Sequence, residues 1–174
     1  RLNIYKFDNR NWQMLVSKNE NNLSYKQSLD YILHEKNDKT IILGFDSSSR
    51  RYKENDISWI WDIDFEILND KSIKNIILIG KFCYDLHLRM KYAGIDEKKI
   101  ILVEDLSNLS KILKNKTKGN IYSMVCFDKE IELTNSNYSV YIESKNREVR
   151  KECFTNLYKV YKQYKNTFAS LISN

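Results

Sequence analysis

The sequence predicts an α/β domain in which helices flank a doubly wound, mainly parallel sheet, followed by a C-terminal amphipathic helix. Two observations support the sheet. Continuous apolar runs of strand length recur along the chain, at residues 40–45, 76–80, 100–103 and 121–127, which is typical of strands buried on both faces. Helical patterns separate several of these runs, and strands that alternate with helices indicate a parallel arrangement.

The first elements are a hairpin and a helix. Residues 2–7 and 12–17 are apolar-rich runs divided by Asp8, Asn9, Arg10 and Asn11, which predicts two strands joined by a turn. Asn21 and Asn22 are suited to begin a helix, and apolar residues then recur at helical spacing up to Leu33. The strand at 40–45 follows this helix, and a polar loop covers residues 46–55.

The later elements repeat the strand-and-helix pattern. After the strand at 76–80, Phe82, Leu86 and Met90 recur four residues apart, which predicts a helix that Gly94 ends. The strand at 100–103 precedes a short predicted helix at residues 107–113, and a fourth buried strand follows at 121–127. Residues 138–142 are a candidate for an additional edge strand.

Two regions are predicted along the chain. Residues 1–128 carry the α/β pattern, and residues 129–174 form a basic extension rich in lysine and tyrosine. Apolar residues spaced three and four apart from Val149 to Leu171 predict that this extension ends in one long amphipathic helix, which we expect to pack on the same domain. Because the chain starts at Arg1 rather than Met, we expect it to be a fragment, and the sequence does not decide whether a further domain precedes it.

Positive charge is concentrated in residues 145–174, the last part of the extension. The net charge is +6, and residues 145–174 contain seven basic residues and two acids. The rest of the chain is nearly neutral, so a nucleic-acid groove through it is not expected, although the basic tail could bind an anionic membrane, an acidic partner or RNA. A solvated helix face is the simpler interpretation of these lysines.

Several common catalytic signatures are absent from the sequence. It has no phosphate-binding G-x-x-x-x-G-K-[ST] loop, no G-x-G-x-x-G and no G-x-S-x-G. Neither the three cysteines nor the two histidines show metal-ligand spacing, so no metal site is predicted. A self-contained Cys-His or Ser-His enzyme is not expected.

Residues 56–66 (DISWIWDIDFE) are the strongest candidate for a site. The segment follows a buried strand, and ligands of open α/β sheets gather beyond the carboxyl ends of strands. Asp56, Asp62 and Asp64 are therefore placed for function. Capping of a helix by Asp56, just before Ser58, is the structural alternative.

The same segment resembles the D-V-S-W-hydrophobic-W-D-x-D-F-E signature of the MurT family's C-terminal domain. Residues 80–81 and 85–94 are similar to that family's G-[RK] and D-M-A-x-R-L-K-Y-A-G blocks, and residues 15–19 are similar to its L-x-K-N segment. The chain departs from the family pattern after Asn19, where a Pro-small-Gly sequence is usual. The resemblance implies a Rossmann-like fold of the kind found in Mur ligase C-terminal domains.

The resemblance also implies a function. MurT and the glutaminase GatD form the lipid II isoglutaminyl synthase, an ATP-dependent carbon–nitrogen ligase that amidates D-glutamate of the peptidoglycan stem peptide with ammonia from glutamine. By this resemblance the chain docks a GatD-type subunit and supplies Asp56, with Asp62 as second candidate, to that subunit's Cys-His pair. The fragment alone is expected to be inactive.

The remaining expectations follow from the same family. Trp59 and Trp61 are expected either at the subunit contact or shielding the catalytic pair, and Lys18 and Asn19 are expected to face nucleotide and substrate. ATP and Mg²⁺ would be bound mainly by a domain absent from this chain, and none by this fragment. A cytoplasmic location is expected, with lipid II placing the full-length protein at the inner face of the membrane. The alternatives are a non-catalytic docking module and a binder of nucleic acid or anionic membrane acting through the basic tail.

Overall fold

The computed structural model describes residues 2–17, 22–45 and 57–126, together with Leu133. The chain divides into two compact units, Arg1–Asn137 and Tyr138–Asn174, and every described residue belongs to the first. The loop at 46–55, the candidate edge strand at 138–142 and the long C-terminal helix lie outside the described residues. The predicted boundary at residue 128 and the predicted packing of the extension stay predictions.

The described residues form a six-stranded mixed sheet flanked by helices, which confirms the predicted fold class. Its strands are β1 (Leu2–Phe7), β2 (Arg10–Ser17), β3 (Lys39–Gly44), β4 (Ile73–Ile79), β5 (Ile100–Val103) and β6 (Asn120–Cys126). The helices are α1 (Asn22–His34), α2 (Cys83–Tyr92) and α3 (Leu109–Lys116), and short 3₁₀ helices cover Ser58–Asp62, Phe65–Asn69, Glu97–Lys99 and Leu106–Asn108.

The strand order is β1-β2-β6-β3-β4-β5. The hairpin strand β1 runs antiparallel to β2, and every other neighbouring pair is parallel. The chain moves across the sheet in one direction from β2 to β5 and then returns to form β6. Right-handed crossovers therefore place α3 on the opposite face from α1 and α2.

The face covered by α1 and α2 holds a continuous core. Alternate residues of the strands point into it, including Ile41, Leu43, Ile76 and Leu78, all fully buried. The two 3₁₀ helices between β3 and β4 join the same core through buried apolar side chains, which are Ile60, Ile63, Phe65 and Leu68. Residues 57–69, which precede β4, are thus fixed by packing.

The amino ends of the strands are tied together by Arg10. Its guanidinium donates to the Leu113 carbonyl at 2.8 Å, to Thr117 Oγ1 at 3.0 Å and to Thr40 Oγ1 at 3.2 Å, and its Nε donates to the Gly119 carbonyl. A cation is favourable at the carboxyl end of a helix such as α3, where backbone carbonyls lack partners. Arg10 therefore joins β2, β3 and α3 at the edge opposite the predicted site.

The predicted short helix at 107–113 starts later than expected. A 3₁₀ turn occupies Leu106–Asn108, and α3 begins at Leu109. The Asp105 carboxylate accepts from the Ser107 amide at 2.9 Å and from its hydroxyl at 2.6 Å, so the cap closes this tight turn first.

Candidate functional site

The segment that follows β3 begins, in the described residues, at Ile57. Ile57 is the N-cap of the 3₁₀ helix Ser58–Asp62, and its side chain makes no capping hydrogen bond. The structural alternative, in which Asp56 is the N-cap residue of this helix, is therefore wrong, because Ile57 occupies that position. Asp56 itself, like Lys18 and Asn19, lies outside the described residues, so its assigned role stays a prediction.

Trp59 faces the core. Its ring lies 5.4 Å from that of Tyr25 on α1 and 5.3 Å from that of Phe45, which directly follows β3. Tyr25 and Phe45 stack on each other at 4.7 Å. Such aromatic contacts add to the stabilisation from burial, so Trp59 holds the start of the segment against the carboxyl end of β3.

Trp61, two residues further on, faces outward. It is 46% exposed, and its ring meets that of Tyr92 edge to face at 5.3 Å. The Arg89 guanidinium lies 5.6 Å from the Trp61 ring centre, within cation–π range. Of the two tryptophans predicted at a partner contact, Trp61 is the one with substantial exposed surface.

Arg89 anchors the end of the segment to α2. Its two terminal nitrogens each donate to one Glu66 carboxylate oxygen at 3.0 Å, and one also donates to the Ile63 carbonyl at 2.7 Å. Only 5% of Arg89 is exposed. The hydrogen bonds from Arg89 lower the pKa of Glu66 to about 2. The sequence analysis included Arg89 in residues 85–94, which match the family pattern, but it did not identify Glu66, 23 residues earlier, as its partner.

Asp62 and Asp64 are both exposed. Asp64 occupies the N-cap of the second 3₁₀ helix, Phe65–Asn69, without a side-chain capping bond. Asp62 has no hydrogen-bond or ion-pair partner among the described residues. Its carboxylate is accessible on the anchored segment, and it stays the second candidate after Asp56.

The outer face of α2 carries residues that the sequence reasoning did not single out. Tyr84, Leu88 and Tyr92 are 58%, 49% and 72% exposed. Their spacing of four was visible in the sequence beside that of Phe82, Leu86 and Met90, which marked only the inner face. Sequence periodicity does not show which of two apolar stripes is buried.

Within the described ranges, no group of three or more His, Cys, Asp or Glu side chains is placed to hold a metal ion. The same residues contain no helix that is long and apolar enough to cross a membrane.

A family model described as MurT ligase C-terminal matches residues 18–128. The match includes the segment 56–66 and helix α2. A search of solved structures finds the MurF ligase of Thermotoga maritima, solved in complex with ADP, at 18% identity and a TM-score of 0.40; the alignment covers 92% of this chain and 31% of that one.

Among curated proteins, oligopeptidase PepF of Bacillus subtilis (strain 168) is 50% identical over 44 residues, which are 25% of this chain and 7% of that protein. A plasmid-borne oligoendopeptidase F of Lactococcus lactis subsp. cremoris is 49% identical over 45 residues, or 8% of its length. The chain therefore spans less than a tenth of these relatives and about a third of the ligase.

Proposed function

We propose, because this chain belongs to the MurT ligase C-terminal family, that it is the C-terminal domain of the ligase subunit of a glutamine-hydrolysing isoglutaminyl synthase. The whole enzyme would amidate the D-glutamate carboxylate of the lipid II stem peptide. The observation that carries this proposal is the family match over residues 18–128, since it includes the acid- and tryptophan-rich segment 56–66.

The chemistry assigned to this chain is the completion of a glutaminase site. A histidine takes up the proton of a cysteine thiol, the thiolate attacks the glutamine carboxamide, and the histidine delivers the proton to the leaving ammonia. Water then hydrolyses the resulting glutamyl thioester, which releases glutamate and restores the thiol. A third group fixes the imidazole's orientation and tautomer. In this proposal the thiol and imidazole belong to a GatD-type subunit, and the Asp56 carboxylate of this chain is the third group.

The anchoring of the segment supports that assignment. Trp59 packs on Tyr25 and Phe45 just after Asp56, and Arg89 bonds Glu66 at the segment's end. An orienting group must be held within a few tenths of an ångström to act on an imidazole, so it needs rigid support. Asp62 is the second candidate because its exposed carboxylate stands on the same support.

The other parts of the reaction are assigned outside the described residues. Lys18 and Asn19 are proposed to face the nucleotide and substrate when the full-length enzyme closes. ATP and Mg²⁺ are proposed to bind mainly to another domain of that enzyme. Its lipid-linked substrate would place the protein in the cytoplasm, at the inner face of the membrane.

The test is glutamine hydrolysis by the cognate GatD-type subunit, alone and mixed with this chain. We expect the native chain to bind and stimulate hydrolysis, and Asp56→Asn to bind with equal affinity but to stimulate at least about a hundredfold less, because the imidazole loses its orienting group. Asp64→Asn is the matched control, since it removes an exposed acid from the same segment.

Three outcomes would change the assignment. If Asp62→Asn loses stimulation while Asp56→Asn does not, the second candidate carries the role. If every variant binds and stimulates like the native chain, the domain is a docking module without chemistry. If the native chain neither binds nor stimulates the glutaminase, the proposed function is wrong.

A further inference from the structure

We infer that the exposed face made by Trp61, Tyr84, Leu88 and Tyr92, named here the α2 face, is the surface that docks the glutaminase subunit and that it receives arginine side chains from that subunit. This inference rests on the proposed function, because the partner is the one proposed there. It adds which surface is used and which chemistry recognises it.

The four residues form one continuous surface. Tyr84, Leu88 and Tyr92 stand four residues apart on α2, so their side chains lie one above the other on one side of the helix. Trp61 extends this row sideways, because its ring contacts that of Tyr92 at 5.3 Å. All four are 46% or more exposed. Exposed apolar side chains that adjoin one another mark interaction sites, whereas single ones are ordinary.

The surface is also rigid before any partner arrives. The inner side of α2 is buried through Cys83, Leu86, Arg89 and Met90. Arg89 holds α2 to the 56–66 segment through Glu66 and the Ile63 carbonyl, directly beneath Trp61. A preformed surface loses little conformational entropy on binding. Tryptophan and tyrosine are among the residues that contribute most to interface affinity.

The charges beside the face favour a basic partner. Asp62 follows Trp61, Asp85 follows Tyr84, and Glu104 accepts a hydrogen bond from the Tyr84 hydroxyl; all three acids are exposed. Lys81, three residues before Tyr84, and Lys91, next to Tyr92, are exposed cations near the face, and the three acids outnumber them. A guanidinium can stack on an aromatic ring and bond a neighbouring carboxylate at the same time, which a lysine ammonium does less well. Arginine is therefore the side chain that fits an aromatic row bordered by carboxylates.

The same charges disfavour two other occupants. In a two-fold contact between copies of this chain, both faces would carry the same excess of negative charge, and like charges in an interface are costly. An anionic membrane would repel the same three carboxylates. A different protein with basic side chains meets neither obstacle.

The position of the face in the sequence suits the proposed chemistry. Trp61 lies five residues after Asp56, so the residue predicted to serve the partner's histidine and an exposed contact residue belong to one short segment. A subunit that covers Trp61 would thus engage the segment that carries both candidate acids.

The test is the affinity of the full chain for the cognate glutaminase subunit, measured by calorimetry or biosensor. We expect Leu88→Asp and Tyr92→Ala each to weaken binding by at least about tenfold, as central interface residues do. Leu23→Asp is the matched control: Leu23 is 63% exposed on α1 rather than α2, and the change should leave affinity as it was. Circular dichroism and the unfolding midpoint check that each variant is folded.

A charge reversal tests the second half of the inference. We expect Asp85→Lys to slow association by several-fold at low ionic strength and much less at about 0.5 M salt, because steering by surface charge is screened. Replacing exposed arginines on the glutaminase by Ala should weaken its binding to the native chain. The same replacements should weaken its binding to the Tyr92→Ala variant less, because that variant has already lost one of the rings on which an arginine would stack.

The outcomes separate this inference from the proposed function. Equal affinities for the native chain, Leu88→Asp and Tyr92→Ala, with stimulation intact, would overturn the α2 face and leave the proposed function standing. Absence of any binding by the native chain would overturn both. The inference would also be overturned if the native chain forms a dimer in sedimentation, or binds anionic vesicles, and Leu88→Asp abolishes that association. Either result would give the α2 face a different occupant.

Discussion

The pair formed by Glu66 and Arg89 gives a stability prediction with a defined pH dependence. Arg89 is buried and holds both Glu66 oxygens at 3.0 Å, while the Glu66 side chain is 49% exposed. Glu66→Gln removes the negative charge and keeps the shape. It leaves the Arg89 guanidinium buried with the Ile63 carbonyl at 2.7 Å and the rings of Trp61 and Phe65 at 5.6 Å.

The magnitude follows from the pKa of Glu66. An ordinary glutamate has a pKa of about 4.3, and in this protein it is about 2. That difference corresponds to about 3 kcal/mol at ~1.36 kcal/mol per pKa unit. Because half of the Glu66 side chain faces water, solvent screens the interaction. We therefore expect Glu66→Gln to lower the free energy of unfolding by about 1 to 2 kcal/mol at pH 7.

The sign of the pH dependence is fixed by the direction of the pKa change. The folded pKa of Glu66 is depressed, so its contribution to stability is fully present above about pH 4.3 and is lost as pH falls toward 2. Near pH 3, midway between the two values, about half of the contribution should remain.

Urea unfolding followed by tryptophan fluorescence, at pH 7 and pH 3, measures this contribution in the native chain and in Glu66→Gln. Asp30→Asn, which removes an exposed carboxylate from α1, serves as the control and should change stability little at either pH. The reasoning would be refuted by a Glu66→Gln loss that is equal at the two pH values, or by one below about 0.5 kcal/mol at pH 7.

Three further predictions concern the rest of the domain. Gly119→Ala should destabilise the fold by at least about 2 kcal/mol more than Gly94→Ala in urea unfolding. Both glycines have positive φ, but an added Cβ at Gly119 would lie 1.9 Å from the Asp38 carbonyl oxygen, whereas one at Gly94 meets nothing within 4 Å. Equal losses of stability in the two variants would contradict this prediction. Arg10→Met should lower the free energy of unfolding by about 2 to 3 kcal/mol and speed hydrogen exchange in α3, because several carbonyl and hydroxyl groups lose their donor. Lys26→Met, on the exposed side of α1, is the control. Unchanged exchange in α3 would count against the role given to Arg10. With Cys126 and Cys153 changed to Ser, the Cys83 thiol should react with a disulfide reagent at pH 8 at least about tenfold more slowly than glutathione, because burial raises the pKa of Cys83; labelling as fast as glutathione's would show an accessible thiolate.

The strands and helices of this domain were predictable because their apolar patterns are local. The runs that became β3, β4 and β6 are buried on both faces of the sheet, so their continuous apolar character identified them. The prediction that the run at 100–103 is also buried on both faces was wrong for Ile100, Ile101 and Leu102, which are only partly buried because β5 is an edge strand. The start of β4 at Ile73, three residues before the apolar run, was not visible. Lys74 and Asn75 are polar because they lie at the sheet's amino edge, where Lys74 pairs with Asp38 at 3.3 Å.

The conformation of residues 57–69 was less predictable. Buried residues there fall at Ile60, Ile63, Phe65 and Leu68, a spacing that fits neither a regular helix nor a strand. Contacts with distant elements decide it. Trp59 is held inward by Tyr25 and Phe45, and Trp61 is left outward on Tyr92, although the two tryptophans differ little in their local sequence.

The position of β6 between β2 and β3 has a consequence for synthesis of the chain. Trp12 on β2 pairs with Ile121, and Thr40 on β3 pairs with the same residue on its other side. Until β6, the last strand in the described residues, leaves the ribosome, the amino-terminal hairpin has no neighbour among the other described strands, and both β2 and β3 have an open edge. The β3-β4-β5 half can assemble earlier, so the hairpin joins the domain last. A nascent chain stalled before residue 120 would hold two separate half-sheets with open edges, and unpaired strand edges are prone to aggregate.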